Sequence, residues 1–143
     1  MSTQPFVIER IYTAPISLVW QAITDHACMK EWYFDLSGFR AEPGYEFSFM
    51  GGNDCVQYLH LCRVTEVIPL QKLSHTWRYE GYPGDSLVTW ELFEDGDKTR
   101  VRLTHSGLES FGTAHPDLAP HNFATGWTSI LDGSLSAYLT RKA

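Results

Sequence analysis

Residues 86 to 105 alternate between apolar and polar side chains with a period of two. Such alternation, divided by the Asp95-Gly96 turn, is typical of a β-hairpin that buries one face and exposes the other. A sheet with one apolar face needs a second layer that covers this face. The predicted facing pairs are Leu92 with Thr99, Trp90 with Val101, Val88 with Leu103 and Ser86 with His105 on the apolar face, and Glu91 with Arg100 and Thr89 with Arg102 on the solvated face.

The C-terminal segment predicts a long amphipathic helix that can supply this second layer. From about His121, apolar residues recur at helical spacing over roughly 20 residues, which corresponds to about 30 Å of helix. Gly126 and Gly133 lower the helix propensity, and small residues on such a helix permit close approach of another backbone or leave space beneath it. The recurring apolar residues are Phe123, Trp127, Ile130, Leu131, Leu135, Tyr138 and Leu139.

The remaining segments predict two short helices near the N-terminus and several further strands. Residues 6 to 12 are rich in β-branched and aromatic side chains, which favour a strand. Pro15 opens the first helix, and Asp25 is the N-cap of a second helix from His26 to about Trp32. Further strands are predicted at 45–49, from about Val56 to Ile68 and at 73–79, with turns at 51–54 and 82–85 and a loop at 107–120.

The element order β-α-α-β-β-β-β-β-β-α belongs to the α+β class, with an antiparallel sheet of six to seven strands in a single domain, residues 1–143. A formal net charge of −6 argues against nucleic acid and anionic membranes as partners. The N-terminus lacks the charged and apolar regions of a signal peptide, so a cytoplasmic location is expected. Cys28, Cys55 and Cys62 show no C-x-x-C spacing and are expected to be reduced thiols.

Aromatic side chains are concentrated on the predicted apolar face and on the helix that covers it. Large rings on a curved sheet do not all interdigitate, so an apolar cavity with a few polar groups is one outcome and a filled core is the other. Trp32, Tyr33 and Phe34 end the second helix, and they lie either at the mouth of such a cavity or in a loop packed on the core. The predicted ligand-binding residues are Trp32, Phe47, Phe49, Tyr58, Trp77, Tyr79, Trp90, His105, Phe123, Trp127 and Leu131.

Three histidines, His60, His75 and His105, project to the same apolar face. His60 and His105 lie three strands apart, which at about 4.8 Å per strand separates them by roughly 14 Å and argues against a shared metal ion. Buried, hydrogen-bonded histidines are therefore expected. Tyr79 and Ser86 lie beside His105 and complete a polar cluster that can orient a ligand hydroxyl or carbonyl. The sequence carries no nucleophile, phosphate-loop or metal motif, so no catalytic residue, metal or cofactor is predicted.

Motifs along nearly the whole chain carry a family resemblance: A-P-x-x-x-V-W-x-A-I-T-D at 14–25, Trp32-Tyr33, Pro43-Gly44, Val64-x-Glu66-Val67, residues 73–77, residues 99–107 and Gly126-Trp127. In combination they resemble the activator of heat-shock-protein-90 ATPase homologue family, within the START-like, Bet v-like (SRPBCC) superfamily. This resemblance implies a helix-grip fold, in which a strongly curved sheet wraps the C-terminal helix and commonly leaves an elongated hydrophobic cavity. One glycine, Gly44, stands where the family often has two.

Three functions are expected from these observations. The first is binding of a small hydrophobic or amphipathic molecule between the concave sheet and the helix at 121–141. The second, which the family resemblance implies, is a protein-interaction module that stimulates a chaperone ATPase as its protein partner. The third, which the superfamily resemblance implies, is a cavity enzyme of the cyclase, dehydratase or hydrolase type. An open apolar cavity favours the first function, a filled core the second, and a cavity that wets His105 and Tyr79 the third.

Overall fold

The strands of the protein form one curved antiparallel sheet. The computed structural model describes residues 5–33, 39–52, 57–82, 84–111 and 120–142. The strands are β1 (Phe6–Tyr12), β2 (Glu46–Gly52), β3 (Gln57–Ile68), β4 (Lys72–Tyr79), β5 (Ser86–Asp95) and β6 (Lys98–Ser106). Their spatial order is β1-β6-β5-β4-β3-β2, so β1 and β2 form the two edges.

Two short helices follow β1, as the sequence predicts. Helix α1 spans Ile16–Thr24, and α2 spans His26–Trp32. The Asp25 carboxylate accepts hydrogen bonds from the backbone N–H groups of Ala27 at 2.9 Å and Cys28 at 3.4 Å. The predicted N-cap is therefore confirmed, because these two N–H groups have no partner within the first turn of the helix.

A long C-terminal helix covers the apolar face of the sheet. It consists of α3 (Pro120–Ser129), a π-helical turn (Ile130–Leu135) and α4 (Ser136–Lys142). The α+β helix-grip architecture is thus confirmed, with six strands in the described part of the chain. Within the described residues, no helix combines the length and the apolar content that crossing a membrane requires. The predicted apolar stripe faces inward, with Phe123, Trp127, Leu131, Leu135, Tyr138 and Leu139 buried and Ile130 half-buried.

The predicted register of the β5–β6 hairpin is wrong by two residues. The loop is Gly96-Asp97 rather than Asp95-Gly96, and Gly96 has a φ of 64°. Glycine at the first loop position with positive φ is the requirement of a type II′ turn. Because side chains alternate with a period of two, a shift of two keeps the same residues on the buried face. The observed partners are Leu92 with Val101, Trp90 with Leu103, Val88 with His105, Glu91 with Arg102 and Thr89 with Thr104.

The segment predicted as a loop after β6 is partly helical. Leu108–Phe111 forms a single 3-10 turn. Phe111 is buried because its ring stacks on Phe123, with ring centroids 5.6 Å apart. Residues 112–119 of the predicted loop lie outside the described residues. The same holds for Phe34, Cys55 and parts of the two predicted turns at 51–54 and 82–85.

The π-helical turn makes a hydrogen bond to the first strand. The Tyr12 hydroxyl donates to the Leu131 carbonyl at 2.8 Å, and both residues are buried. We expect Tyr12→Phe to lower the free energy of unfolding by about 1–2 kcal/mol, because a buried carbonyl loses its side-chain donor while the ring still fills its place. Urea denaturation measures this difference. A loss of less than about 0.5 kcal/mol would show that this bond contributes little beyond packing.

Candidate ligand-binding interior

An enclosed apolar cavity lies between α2 and strands β2, β4 and β5. Its volume, measured for the centre of a water-sized sphere, is ≈ 10 Å³. This space corresponds to about one water molecule, so this cavity is nearly filled by its own wall. The lining residues are Ile23, Met29, Trp32, Tyr33, Phe39, Phe47, Leu73, His75 and Trp90.

Three of the predicted ligand-binding residues, Trp32, Phe47 and Trp90, line this cavity directly. Trp32 and Trp90 meet edge to face, with ring centroids 6.2 Å apart and planes at 82°. The Trp32 indole N–H donates to the Ala22 carbonyl at 2.9 Å, which holds the end of α2 against α1. The cavity wall is therefore built by an anchored ring from a helix and a ring from the sheet.

Seven of the remaining predicted residues, all except Leu131, form a continuous cluster of rings next to the cavity. Trp77 lies at the centre of this cluster, 5.7 Å from Phe49, 5.5 Å from Trp127 and 5.5 Å from His105 between ring centroids. Its indole N–H donates to the Tyr79 hydroxyl at 2.9 Å. The structure places Phe49, Tyr58, Trp77, Tyr79, His105, Phe123, Trp127 and Leu131 in the buried core. The structure therefore brings the predicted residues together, but their ring cluster is packed rather than open.

His105 is fully buried at the centre of a hydrogen-bonded network. Trp127 Nε1–H donates to His105 Nδ1 at 3.0 Å, and Ser86 Oγ lies 2.8 Å from His105 Nε2. Ser86 uses its own proton in a 2.7 Å bond to the Trp77 carbonyl, so its oxygen accepts the proton of Nε2. An indole N–H only donates, so Nδ1 carries no proton. His105 is thus a neutral imidazole whose two nitrogens are both engaged.

Burial keeps the interior uncharged. It lowers the pKa of His60 to about 4, of His75 to about 4 and of His105 to about 3, and the neighbouring His75 lowers the last of these further. Burial also raises the pKa of Tyr33, Tyr79 and Cys62 above their ordinary values. These groups are all neutral at pH 7. No Asp, Glu, Lys or Arg is buried among the described residues.

The three histidines do not assemble a metal site. Each lies among aromatic rings: His60 stacks on Phe49 at 4.4 Å between centroids, and His75 meets Phe47 edge to face at 5.2 Å. No group of three or more His, Cys, Asp or Glu side chains in the described ranges is placed to hold a metal ion. Every buried side-chain nitrogen or oxygen of the described residues has a hydrogen-bond partner within the protein. The interior thus offers a ligand apolar contacts in preference to free polar groups.

Sequence reasoning missed several residues of the cavity wall. Ile23 and Met29 come from the buried faces of α1 and α2, and Leu73 comes from β4. Phe39 follows α2 outside any regular element, and its ring meets Phe47 at 5.1 Å. The helical spacing of the apolar residues around Ile23 predicts its burial, whereas Phe39 belongs to no periodic pattern from which its burial could be predicted.

A curved antiparallel sheet that packs an aromatic interior against a long C-terminal helix defines a protein of the helix-grip class. A family model described as Activator of Hsp90 ATPase homolog 1-like protein matches residues 13–140. The chain belongs to this family, as the sequence motifs indicated.

Solved structures with the same fold include three bacterial proteins. The Mll3558 protein from Rhizobium loti has a TM-score of 0.81 at 24% identity over 94% of this chain and 96% of that chain. MLL2253 from Mesorhizobium loti has a TM-score of 0.78 at 24% identity over 98% of this chain and 99% of that chain. CalU16 from Micromonospora echinospora has a TM-score of 0.74 at 28% identity over 96% of this chain and 77% of that chain. No protein of curated function matches the sequence significantly.

Proposed function

We propose that this protein binds a small, neutral, hydrophobic or amphipathic molecule in the aromatic interior between the concave sheet and the C-terminal helix. The packed ring cluster around Trp77 taken alone favours the interaction module, but the apolar cavity beside Trp32 and Trp90 is retained and is the observation that carries the proposal. Apolar cavities with aromatic walls favour apolar ligands, because such a ligand gains contacts without breaking hydrogen bonds.

The chemistry of the wall selects a neutral ligand. His75 is the polar side chain that lines the cavity besides Tyr33, and its Nδ1 is already 2.9 Å from the Thr76 carbonyl oxygen. A charged ligand would lose its hydration without meeting an opposite charge there, which costs several kcal/mol. A neutral ring or short alkyl chain meets no such cost.

Binding requires the wall to yield, since the space of ≈ 10 Å³ is smaller than any organic ligand. Phe47 is half-buried, whereas Trp32 and Trp90 are buried. Phe47 also belongs to the edge strand β2, which has a hydrogen-bonded neighbour on one side. We therefore expect Phe47 to move on binding and the two tryptophans to stay and report the ligand by a change in fluorescence.

The test is a titration of the protein with the neutral probe N-phenyl-1-naphthylamine, together with native mass spectrometry of the purified protein for a retained molecule. Leu73→Phe places a larger side chain into the cavity, and we expect it to weaken probe binding by about tenfold or more. Leu73 is 2% exposed and lines the cavity.

Leu135→Phe is the matched control. Leu135 is as deeply buried as Leu73 but belongs to the π-helical turn of the C-terminal helix and is not a lining residue of the cavity, so overpacking there strains the core without filling the cavity. We expect probe affinity within about twofold of the original protein for this variant. Equal losses in both variants, or no probe binding and no retained molecule in the original protein, would contradict ligand binding at this cavity.

A further inference from the structure

Two polar atoms in the wall of the enclosed cavity form no hydrogen bond with any described residue. They belong to His75 on β4 and Trp90 on β5, which both line the cavity. His75 Nδ1 bonds to the Thr76 carbonyl at 2.9 Å, but His75 Nε2 has no partner among the residues that the structure describes. The Trp90 indole Nε1–H likewise donates to none of them. We call His75 Nε2 and Trp90 Nε1 the open pair.

The open pair faces the cavity. In the described part of the chain, every side-chain nitrogen or oxygen that a water-sized sphere cannot touch has a hydrogen-bond partner. The two atoms of the open pair have none, so such a sphere reaches both of them. His75 is 5% exposed and Trp90 is 3% exposed, and the cavity of ≈ 10 Å³ is the space that both residues line.

The open pair consists of one acceptor and one donor. The Thr76 carbonyl only accepts, so Nδ1 of His75 carries the proton. Burial lowers the pKa of His75 to about 4, so the imidazole is neutral at pH 7 and its Nε2 presents a lone pair. The Trp90 indole N–H only donates. One group that both donates and accepts therefore satisfies both atoms.

The register of the sheet places the two rings within reach of such a group. Across β4 and β5, Leu73 faces Trp90 and His75 faces Val88. His75 and Trp90 are therefore diagonal neighbours on the inner face, where residues lie about 7–8 Å apart and large rings reach one another. A hydroxyl that bonds to two ring nitrogens at about 2.9 Å each spans up to about 6 Å between them.

We propose that the ligand of this cavity is a neutral phenol or aromatic alcohol whose hydroxyl bridges the open pair. The hydroxyl donates its proton to His75 Nε2 and accepts from the Trp90 indole N–H. The aromatic body lies against Trp32 and takes the space that Phe47 vacates. This inference rests on the ligand binding proposed above and adds the polar group that the ligand carries.

A methyl group in place of the hydroxyl satisfies neither atom. The cavity has room for about one water molecule, and a hydroxyl reproduces the bonds that a water molecule would make to the open pair. A methyl group fills the same space without these bonds. A cavity with only apolar groups in its wall has the opposite preference, because a hydroxyl buried without a partner is penalised.

The test compares phenol with toluene, which carries a methyl group in place of the hydroxyl, by isothermal titration calorimetry at pH 7.5. We expect phenol to bind at least as tightly as toluene, although toluene is the more hydrophobic of the two. His75→Phe keeps a ring at this position and removes Nε2. In this variant the affinity for phenol is expected to fall by about tenfold, and the affinity for toluene to stay within about twofold.

His60→Phe is the matched control. It makes the same substitution at another buried histidine, which is not a lining residue of the cavity. We expect its affinity for phenol to stay within about twofold of that of the original protein.

A second measurement uses the original protein and so does not depend on the folding of His75→Phe. Long-range ¹H–¹⁵N spectra report the ring nitrogens of each histidine. Saturating phenol is expected to move the His75 Nε2 resonance to lower frequency, because this lone pair then accepts a hydrogen bond. Saturating toluene fills the same space without a donor and is expected to leave this resonance close to its original position.

The bridging hydroxyl is overturned, with ligand binding left intact, if toluene binds about tenfold more tightly than phenol or if His75→Phe binds phenol as well as the original protein does. An equal loss of phenol affinity in His60→Phe, or an unmoved His75 Nε2 resonance with phenol bound, also overturns it. If neither phenol nor toluene binds, the result contradicts the proposed ligand binding itself, and this inference with it.

Discussion

Acidification from pH 7.5 to pH 5 is expected to remove about 6 kcal/mol of the free energy of unfolding. His60, His75 and His105 have an ordinary pKa of 6.5, which burial lowers to about 4, 4 and 3 in the folded protein. Between these pKa values the unfolded chain binds more protons than the folded chain. The free energy of unfolding is therefore fully retained above pH 6.5 and decreases as the pH falls below that value. Each imidazole accounts for about 2 kcal/mol of the loss at pH 5.

Urea denaturation at pH 7.5, 6.0 and 5.0 measures this loss. The window ends at pH 5, above the ordinary pKa of Asp and Glu, so the ion pairs of Glu9 and Asp132, whose pKa values are lowered by their arginine partners, contribute little to the loss. The expected loss is comparable to the whole stability of many domains, and partial unfolding near pH 5 is therefore expected.

His75→Phe is the informative variant for this pH dependence. A phenyl ring keeps the contacts with Phe47 and Trp77 but does not titrate, so the loss between pH 7.5 and pH 5 is expected to shrink by about a third. An unfolding free energy that stays constant over this range in the original protein would show that the three imidazoles reach water in the folded state.

Local signals made most of the fold predictable from the sequence. The Asp25 cap, the proline before α1 and the alternation of β5 and β6 each act within a few residues, and the structure reproduces them. The hairpin register failed because the position of Gly96 within a two-residue loop depends on its φ, which composition does not reveal. The buried face was still predicted correctly, because an error of two residues preserves it.

The candidate site was less predictable, because its openness is decided by packing. The rings of Trp77, Trp90 and Trp127 meet in the interior, as their strand and helix positions indicate. Whether they leave a cavity depends on Phe39 and Phe111, which come from segments without periodicity. The π-helical turn and the positive φ of Leu70 are likewise products of tertiary contacts, since their sequences suit an ordinary helix and a glycine turn respectively.

His105→Ala is expected to lower the free energy of unfolding by about 3–5 kcal/mol at pH 7.5. The substitution leaves a cavity between β6 and α3, and it also removes the acceptor of the Trp127 indole N–H and the donor to Ser86 Oγ. Removing one partner of a buried hydrogen bond costs the desolvation of the group that remains, whereas replacing both partners by apolar groups of similar shape costs much less.

A double-mutant cycle separates the hydrogen bond from the packing. His105→Phe leaves the Trp127 N–H without its acceptor, and Trp127→Phe leaves His105 Nδ1 without its donor. The free energy of unfolding of each single variant is therefore expected to fall by about 2–3 kcal/mol. The double variant leaves neither of these groups unpaired. We expect its loss of unfolding free energy to be smaller than the sum of the two single-variant losses by about 1–3 kcal/mol. Strict additivity would mean that the 3.0 Å contact does not couple α3 to the sheet. A coupling of the expected size identifies this bond, beside that of Tyr12 to Leu131, as a contact that holds the C-terminal helix over the aromatic interior, where a ligand would have to enter.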